Sequence, residues 1–195
     1  MLNQNVDRLE KFKSITTEVF ALTLGLGAFS LVIVPKNSFI EVAQAVGVFA
    51  IAFFYIVAIW IINSRFFENY RLYDNVFLAL NFSILFLVAI SPFLMQAFSV
   101  SSDFTDPMSI LYALDIMGIF ALLGVLHQRY LQQNRNHLKE EETSEVKMDR
   151  NMQFIISAWF LVSVLMPVQY RFFFWILLAP IPPIYRHRIG PLHMK

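Results

Sequence analysis

A chain of 195 residues that is 57% hydrophobic and only 15% charged carries more apolar side chain than a soluble core can enclose; ordinary globular chains hold about 45–50% and about 25%. The formal net charge is +1, with no basic stripe, which excludes a typical nucleic-acid binder. With no cysteine, a disulfide framework, thiolate metal sites and a cysteine nucleophile are excluded together.

A bilayer's hydrocarbon core is about 30 Å thick, so a spanning helix needs roughly 20 mainly apolar residues. Six runs meet or approach that length, at about 17–35, 40–64, 75–99, 107–128, 151–168 and 171–185. The first follows a stretch of mixed charge with Asp7, Glu10 and Glu18, and Pro35, Lys36 and Asn37 come after it without a small-residue cleavage site. It is therefore read as a retained span. The runs are apolar nearly all round, and too long for barrel strands of about 10 residues. Backbone groups in lipid must be satisfied internally, so helices are expected. The fold class is an all-α integral membrane protein with six transmembrane helices in a single domain over 1–195.

Charge fixes the expected orientation. Thirteen Lys and Arg fall in the N-terminal segment, the second-to-third and fourth-to-fifth connections and the C-terminal tail. Only Lys36 and Arg171 fall on the other side. Positive residues favour the cytoplasmic face, so both termini are expected inside, in a multi-pass protein of the cell membrane. The segment 129–150, with Glu140, Glu141, Glu142 and Glu145, reads as a solvated helical extension plus a loop. The last hairpin is the least regular: Pro167 to Arg171 must turn tightly, and Pro180, Pro182 and Pro183 interrupt the sixth run.

No catalytic signature is present: no His-Glu-x-x-His, Gly-rich phosphate loop or Gly-x-Ser-x-Gly. His127, His137, His187 and His193 read as interfacial groups, so no catalytic residue, metal or cofactor is expected. Ionisable residues inside apolar runs point to function by default. Asp115 lies within the fourth run and is a possible intramembrane ionisable site; Glu41 opens the second near its outer end. Asp115 would line a polar path or bond to a neighbouring helix.

The first run has two patterned faces. Ala21, Gly25 and Ala28 form a small-residue face that permits close helix packing. Leu22, Leu26 and Phe29 recur at i, i+4, i+7. Copies of this helix around an axis would stack them into apolar rings, which can gate a pore by dewetting; lipid or core packing is the plain alternative.

The stretch Val48-Phe49-Ala50-Ile51-Ala52-Phe53-Phe54, then Trp60, Asn63-Ser64-Arg65-Phe66-Phe67, Asp74, Leu80-Asn81-Phe82 and Ser91-Pro92-Phe93, resembles the second and third helices of the transmembrane protein 175 family of potassium channels. Ile110-Leu111-Tyr112-Ala113 is similar to the start of that family's fourth helix. The resemblance implies a six-helix subunit of a homotetramer in the lipid bilayer, with the first helix lining the pore and potassium as the permeant ion. Val19-Phe20-Ala21-Leu22 matches a first-helix segment of the family, which puts the apolar constriction on Leu22, Leu26 and Phe29. Aligned without a gap, the family's Phe-Ser-Asp element falls on Ile15, Thr16 and Thr17, and its acid is absent. With an insertion, Arg8 and Phe12 keep its Arg-to-Phe spacing. The family's pore threonine falls on Gly25, with Thr23 nearby, so Thr16, Thr17 and Thr23 are the candidate polar groups beside the pore. Two other readings stay open: a non-conducting accessory protein on the same scaffold, and a small proton-coupled transporter using Asp115.

Overall fold

The computed structural model describes residues 2–33, 38–69, 74–100 and 105–178. Among these residues the chain forms six helices and no strand: α1 Leu2–Ile33, α2 Phe39–Asn69, α3 Asn75–Val100, α4 Thr105–Gln133, α5 Glu140–Ser163 and α6 Val168–Ile176. Among the described residues, three segments are long and apolar enough to cross a membrane: Phe39–Phe67, Asn75–Leu94 and Asp106–Gln133. The apolar part of α1 runs from Val19 to the last described residue of that helix, Ile33. Helix α6 has 9 residues, about 14 Å at 1.5 Å per residue, and does not cross a bilayer by itself. Residues 179–185 of the expected sixth span, with its three prolines, lie outside the described residues.

The chain divides into two compact units, Met1–Asp115 and Ile116–Lys195. In the first, α1 packs against both α2 and α3. Short polar side chains start the helices. Ser38 Oγ accepts the Glu41 amide at 3.2 Å ahead of α2, and Asp74 Oδ1 accepts the Phe77 amide at 2.8 Å ahead of α3. Glu41 is exposed in the first turn of α2, where a negative charge faces the positive end of the helix dipole. An aromatic box binds the three helices: Phe12 of α1 lies 5.6 Å from Phe67 and 5.1 Å from Phe82, and Phe77 lies 5.5 Å from Phe67 and 5.8 Å from Phe66. Further along α1, Gly27 faces the ring of Phe49, where an added Cβ would sit at 3.3 Å. A side chain at that position would require the Phe49 ring to give way.

In the second unit, α4 ends at Gln133 and α5 starts at Glu140, so most of the segment 129–150 is helical and the connection is short. Glu142 Oε2 accepts the Lys139 amide at 3.2 Å, closing the start of α5. Arg150 Nη1 donates to Gln128 Oε1 at 2.6 Å, and Ser157 Oγ to the Met117 carbonyl at 3.1 Å. Gly124 leaves room for the Phe154 ring, which a Cβ would meet at 2.8 Å.

The corner between α5 and α6 is built on Arg171. A helix end leaves carbonyls without amide partners, and a buried end must find others. Arg171 is buried; its Nε donates to the Ser163 carbonyl at 3.1 Å, and its Nη2 to those of Val164 and Met166 at 3.3 and 2.8 Å. Trp175 Nε1 donates to Ser163 Oγ at 2.9 Å. Trp159 stacks on Phe174 with ring centres 4.2 Å apart, and its Nε1 donates to the Phe174 carbonyl at 2.9 Å. Arg171, counted from sequence as one of two basic residues on the outer side, thus points inward and caps α5.

Arg171→Met is expected to lower the thermal unfolding midpoint in detergent, by a loss of about 3 kcal/mol or more if even two charge-assisted bonds of about 1.5–3 kcal/mol are removed. Arg171→Lys should recover only part, because a point ammonium cannot reproduce the fork. An unchanged midpoint for the methionine variant would refute the capping role.

Candidate pore-lining face of the first helix

Helix α1 has two faces with opposite fates. At about 100° per residue, Phe12, Thr16, Phe20, Thr23 and Gly27 fall on one side, and all are buried. Ile15, Leu22, Leu26 and Phe29 fall on the other, and all are exposed. The exposure is large for apolar side chains: 64% at Leu22, 50% at Leu26 and 60% at Phe29. Ala21, Gly25 and Ala28 flank this stripe and are exposed too, and nothing lies within 4 Å of a Cβ built on Gly25. The small-residue face is therefore available to another copy or to lipid, whereas Gly27, which spacing did not single out, makes the close approach within the chain.

The three candidate threonines turn away from the Leu22, Leu26 and Phe29 stripe. Each hydroxyl donates to the carbonyl one turn back: Thr16 to Phe12 at 2.9 Å, Thr17 to Lys13 at 3.1 Å and Thr23 to Val19 at 2.8 Å. Such back-bonding satisfies a hydroxyl without any other helix. Thr16 and Thr23 are buried and Thr17 is exposed. Of the two positions that the sequence allowed for the Phe of the Phe-Ser-Asp element, Phe12 is the one packed in the aromatic box, and Ile15 is exposed.

Two asparagines missed as site candidates are completely buried. Asn63 lies one turn before Phe67, and neither polar atom of its side chain has a hydrogen-bond partner among the described residues. Asn81 lies one turn after Phe77; its Nδ2 donates to the Phe77 carbonyl at 3.0 Å, and its Oδ1 has no partner there. A buried unsatisfied group costs about 1–3 kcal/mol, so these amides are held in place against a penalty. An Asn inside an apolar run was the signal available for both.

Asp115 joins α4 to α3. Its Oδ2 lies 2.6 Å from Ser91 Oγ, which is also 3.2 Å from the Leu87 carbonyl. Both residues are buried, and Asp115 Oδ1 has no hydrogen-bond partner among the described residues. Ser91 has a single proton for two acceptors. A carboxyl proton would complete the chain, Asp115 donating to Ser91 and Ser91 to Leu87. The next residue, Pro92, sits inside α3 and has no amide to give to the Val88 carbonyl. Asp115 thus bonds a neighbouring helix beside a proline.

Long apolar helices, a stripe of exposed large side chains and buried polar groups between helices define a helical membrane protein. Residues 8–92 match the model of the family described as the endosomal/lysosomal potassium channel TMEM175. The match begins at Arg8 and takes in the aromatic box, Asn63, Asn81 and Pro92. Two solved structures share the fold. One is the potassium channel MtTMEM175, a threonine-to-alanine variant crystallised with a nanobody–MBP fusion, at a TM-score of 0.68 and 20% identity over 94% of this chain and 93% of that one. The other is a lysosomal potassium-selective channel TMEM175 homolog from Chamaesiphon minutus, at 0.63 and 18% over 89% and 97%. No curated protein sequence matches the chain. The resemblance read from the sequence is shown by the family model over residues 8–92, and the likeness of fold extends along nearly the whole chain.

Asp115→Asn keeps an amide donor for Ser91 and is expected to cost under about 1 kcal/mol, whereas Asp115→Ala should cost about 1–3 kcal/mol by stranding the serine. A double-mutant cycle of Asp115→Ala with Ser91→Ala should return a coupling of about 0.5–3 kcal/mol, read from unfolding midpoints; additive effects would dissolve the pair.

Proposed function

We propose that this chain is a subunit of a potassium-permeable cation channel of the cell membrane. It assembles as a homotetramer, both termini lie in the cytoplasm, and the α1 helices line the pore. Leu22, Leu26 and Phe29 form its apolar constriction, and the ion passes by dewetting control rather than through a carbonyl filter, for which the sequence has no Thr-Val-Gly-Tyr-Gly loop. The observation that carries this reading is the exposed apolar stripe of α1, opposite the face that packs on α2 and α3. The match over residues 8–92 and the fold shared with two potassium channels support it.

A second reading, a non-conducting accessory protein on the same scaffold, is favoured by one observation. Ile15, Thr16 and Thr17 replace the Phe-Ser-Asp element, and both threonines bond only to their own helix carbonyls in the contacts seen. Such a protein would be folded, would carry no ion flux and would co-purify with a partner. A proton-coupled transporter would use Asp115, and solute uptake would then vanish in Asp115→Asn.

Purified protein in liposomes with a potassium gradient is expected to pass potassium. Leu22→Ala and Leu26→Ala should each raise the flux several-fold, because a smaller side chain widens the apolar ring and lowers its dewetting barrier. A folded tetramer without flux would sink the channel reading; unchanged flux in both variants would remove the constriction from these residues.

A further inference from the structure

An apolar ring has no means of telling a cation from an anion. The stripe that carries the ring contains one acid. Glu18 is exposed, and at about 100° per residue it lies within an arc of about 80° shared with Ile15, Leu22, Leu26 and Phe29. It stands four residues before Leu22, about 6 Å along the axis. Its carboxylate is held on the helix: Ser14 Oγ donates to Glu18 Oε1 at 3.0 Å. The side chains that reach Glu18 along α1, at i±3 and i±4, are Ser14, Ile15, Ala21 and Leu22, and none is basic. The nearest cation on the same stripe is Lys11, exposed and seven residues away, about 10.5 Å by helical rise. That distance is about one Debye length at 0.1 M salt, so Lys11 offsets the carboxylate only weakly.

We propose that Glu18 from each subunit forms a carboxylate ring at the N-terminal mouth of the pore, one turn outside Leu22, and that this ring admits cations and rejects anions. The inference rests on the reading of α1 as the pore helix. Rings of acidic side chains select cations, and a narrow mouth with low-dielectric walls focuses their field. Leu22, Leu26 and Phe29 then control whether the pore is wet, and Glu18 controls which sign of charge reaches them. The ligand class is a hydrated cation at the mouth. A divalent cation would be held more tightly than potassium and would compete with it from that side.

The test uses the full-length protein in liposomes. Glu18→Gln, which keeps size and the acceptor for Ser14, is expected to lower potassium flux several-fold at low ionic strength, with the deficit closing at high salt as screening takes over. It should also relieve block by magnesium and raise chloride permeation. Because the chain has no cysteine, Glu18→Cys can be labelled alone. A thiol reagent that carries a sulfonate should restore flux, and one that carries an ammonium should not. Unchanged flux and ion preference in Glu18→Gln, or equal rescue by both reagents, would overturn the proposal. If that happens while Leu22→Ala still raises flux, the pore reading stands and the ring fails. If the unsubstituted protein, folded and tetrameric, passes no potassium, the pore reading has failed and takes the ring with it.

Discussion

The contact of Phe12 with Phe67 and Phe82 decides which way the first helix faces. A helix as apolar as the second half of α1 has no strong preference for one side when its surroundings are lipid or other helices. The aromatic box supplies one. Once Phe12 is seated against α2 and α3, helical geometry carries Thr16, Phe20, Thr23 and Gly27 inward on the same side. It carries Ile15, Glu18, Leu22, Leu26 and Phe29 outward. The close approach of Gly27 to Phe49 holds the same rotation farther along the helix. The functional reading depends on this rotation, because a turn of about 100° would hide the leucines.

Polar groups follow a second rule in these surroundings: what is buried is bonded locally wherever it can be. The threonines of α1 use their own carbonyls, Ser91 reaches the Leu87 carbonyl one turn back, and Arg171 takes the last carbonyls of α5. Asn81 and Asp115 each leave one oxygen unbonded among the described residues, and Asn63 departs furthest. Its amide is buried with neither polar atom bonded among the described residues, inside the stretch 8–92 that matches the family. A protein keeps such a group only where packing around it holds it in place, and the aromatic box one turn away provides that packing.

Hydropathy made α2, α3 and α4 legible to within a few residues, because each is apolar over most of its length. It placed the start of the first span at residue 17, whereas α1 begins at Leu2. The early turns carry Arg8, Lys11 and Lys13, and charge conceals a helix from a search for lipid-length runs even where Phe12 and Thr16 already follow a buried face. The fifth run was expected over 151–168, but α5 begins at Glu140 and ends at Ser163. A helix continues through a polar stretch when its start is bonded, and the carbonyls at its early end are taken by Arg171. The exposed stripe of α1 was readable from spacing. The choice of Phe12 over Ile15 as the packing residue was not, because two alignments differing by an insertion fit the same letters. The bond between Asp115 and Ser91 joins residues 24 positions apart, which no periodicity reports.

The inward guanidinium of Arg171 bears on how the protein is made. A lone arginine entering a bilayer on a nine-residue helix has no partner for its charge, and α6 is too short to offset that cost with apolar surface. Its acceptors belong to the end of the preceding helix. The favourable state exists only when both halves of the corner are present, so α5 and α6 should leave the translocation machinery as one hairpin.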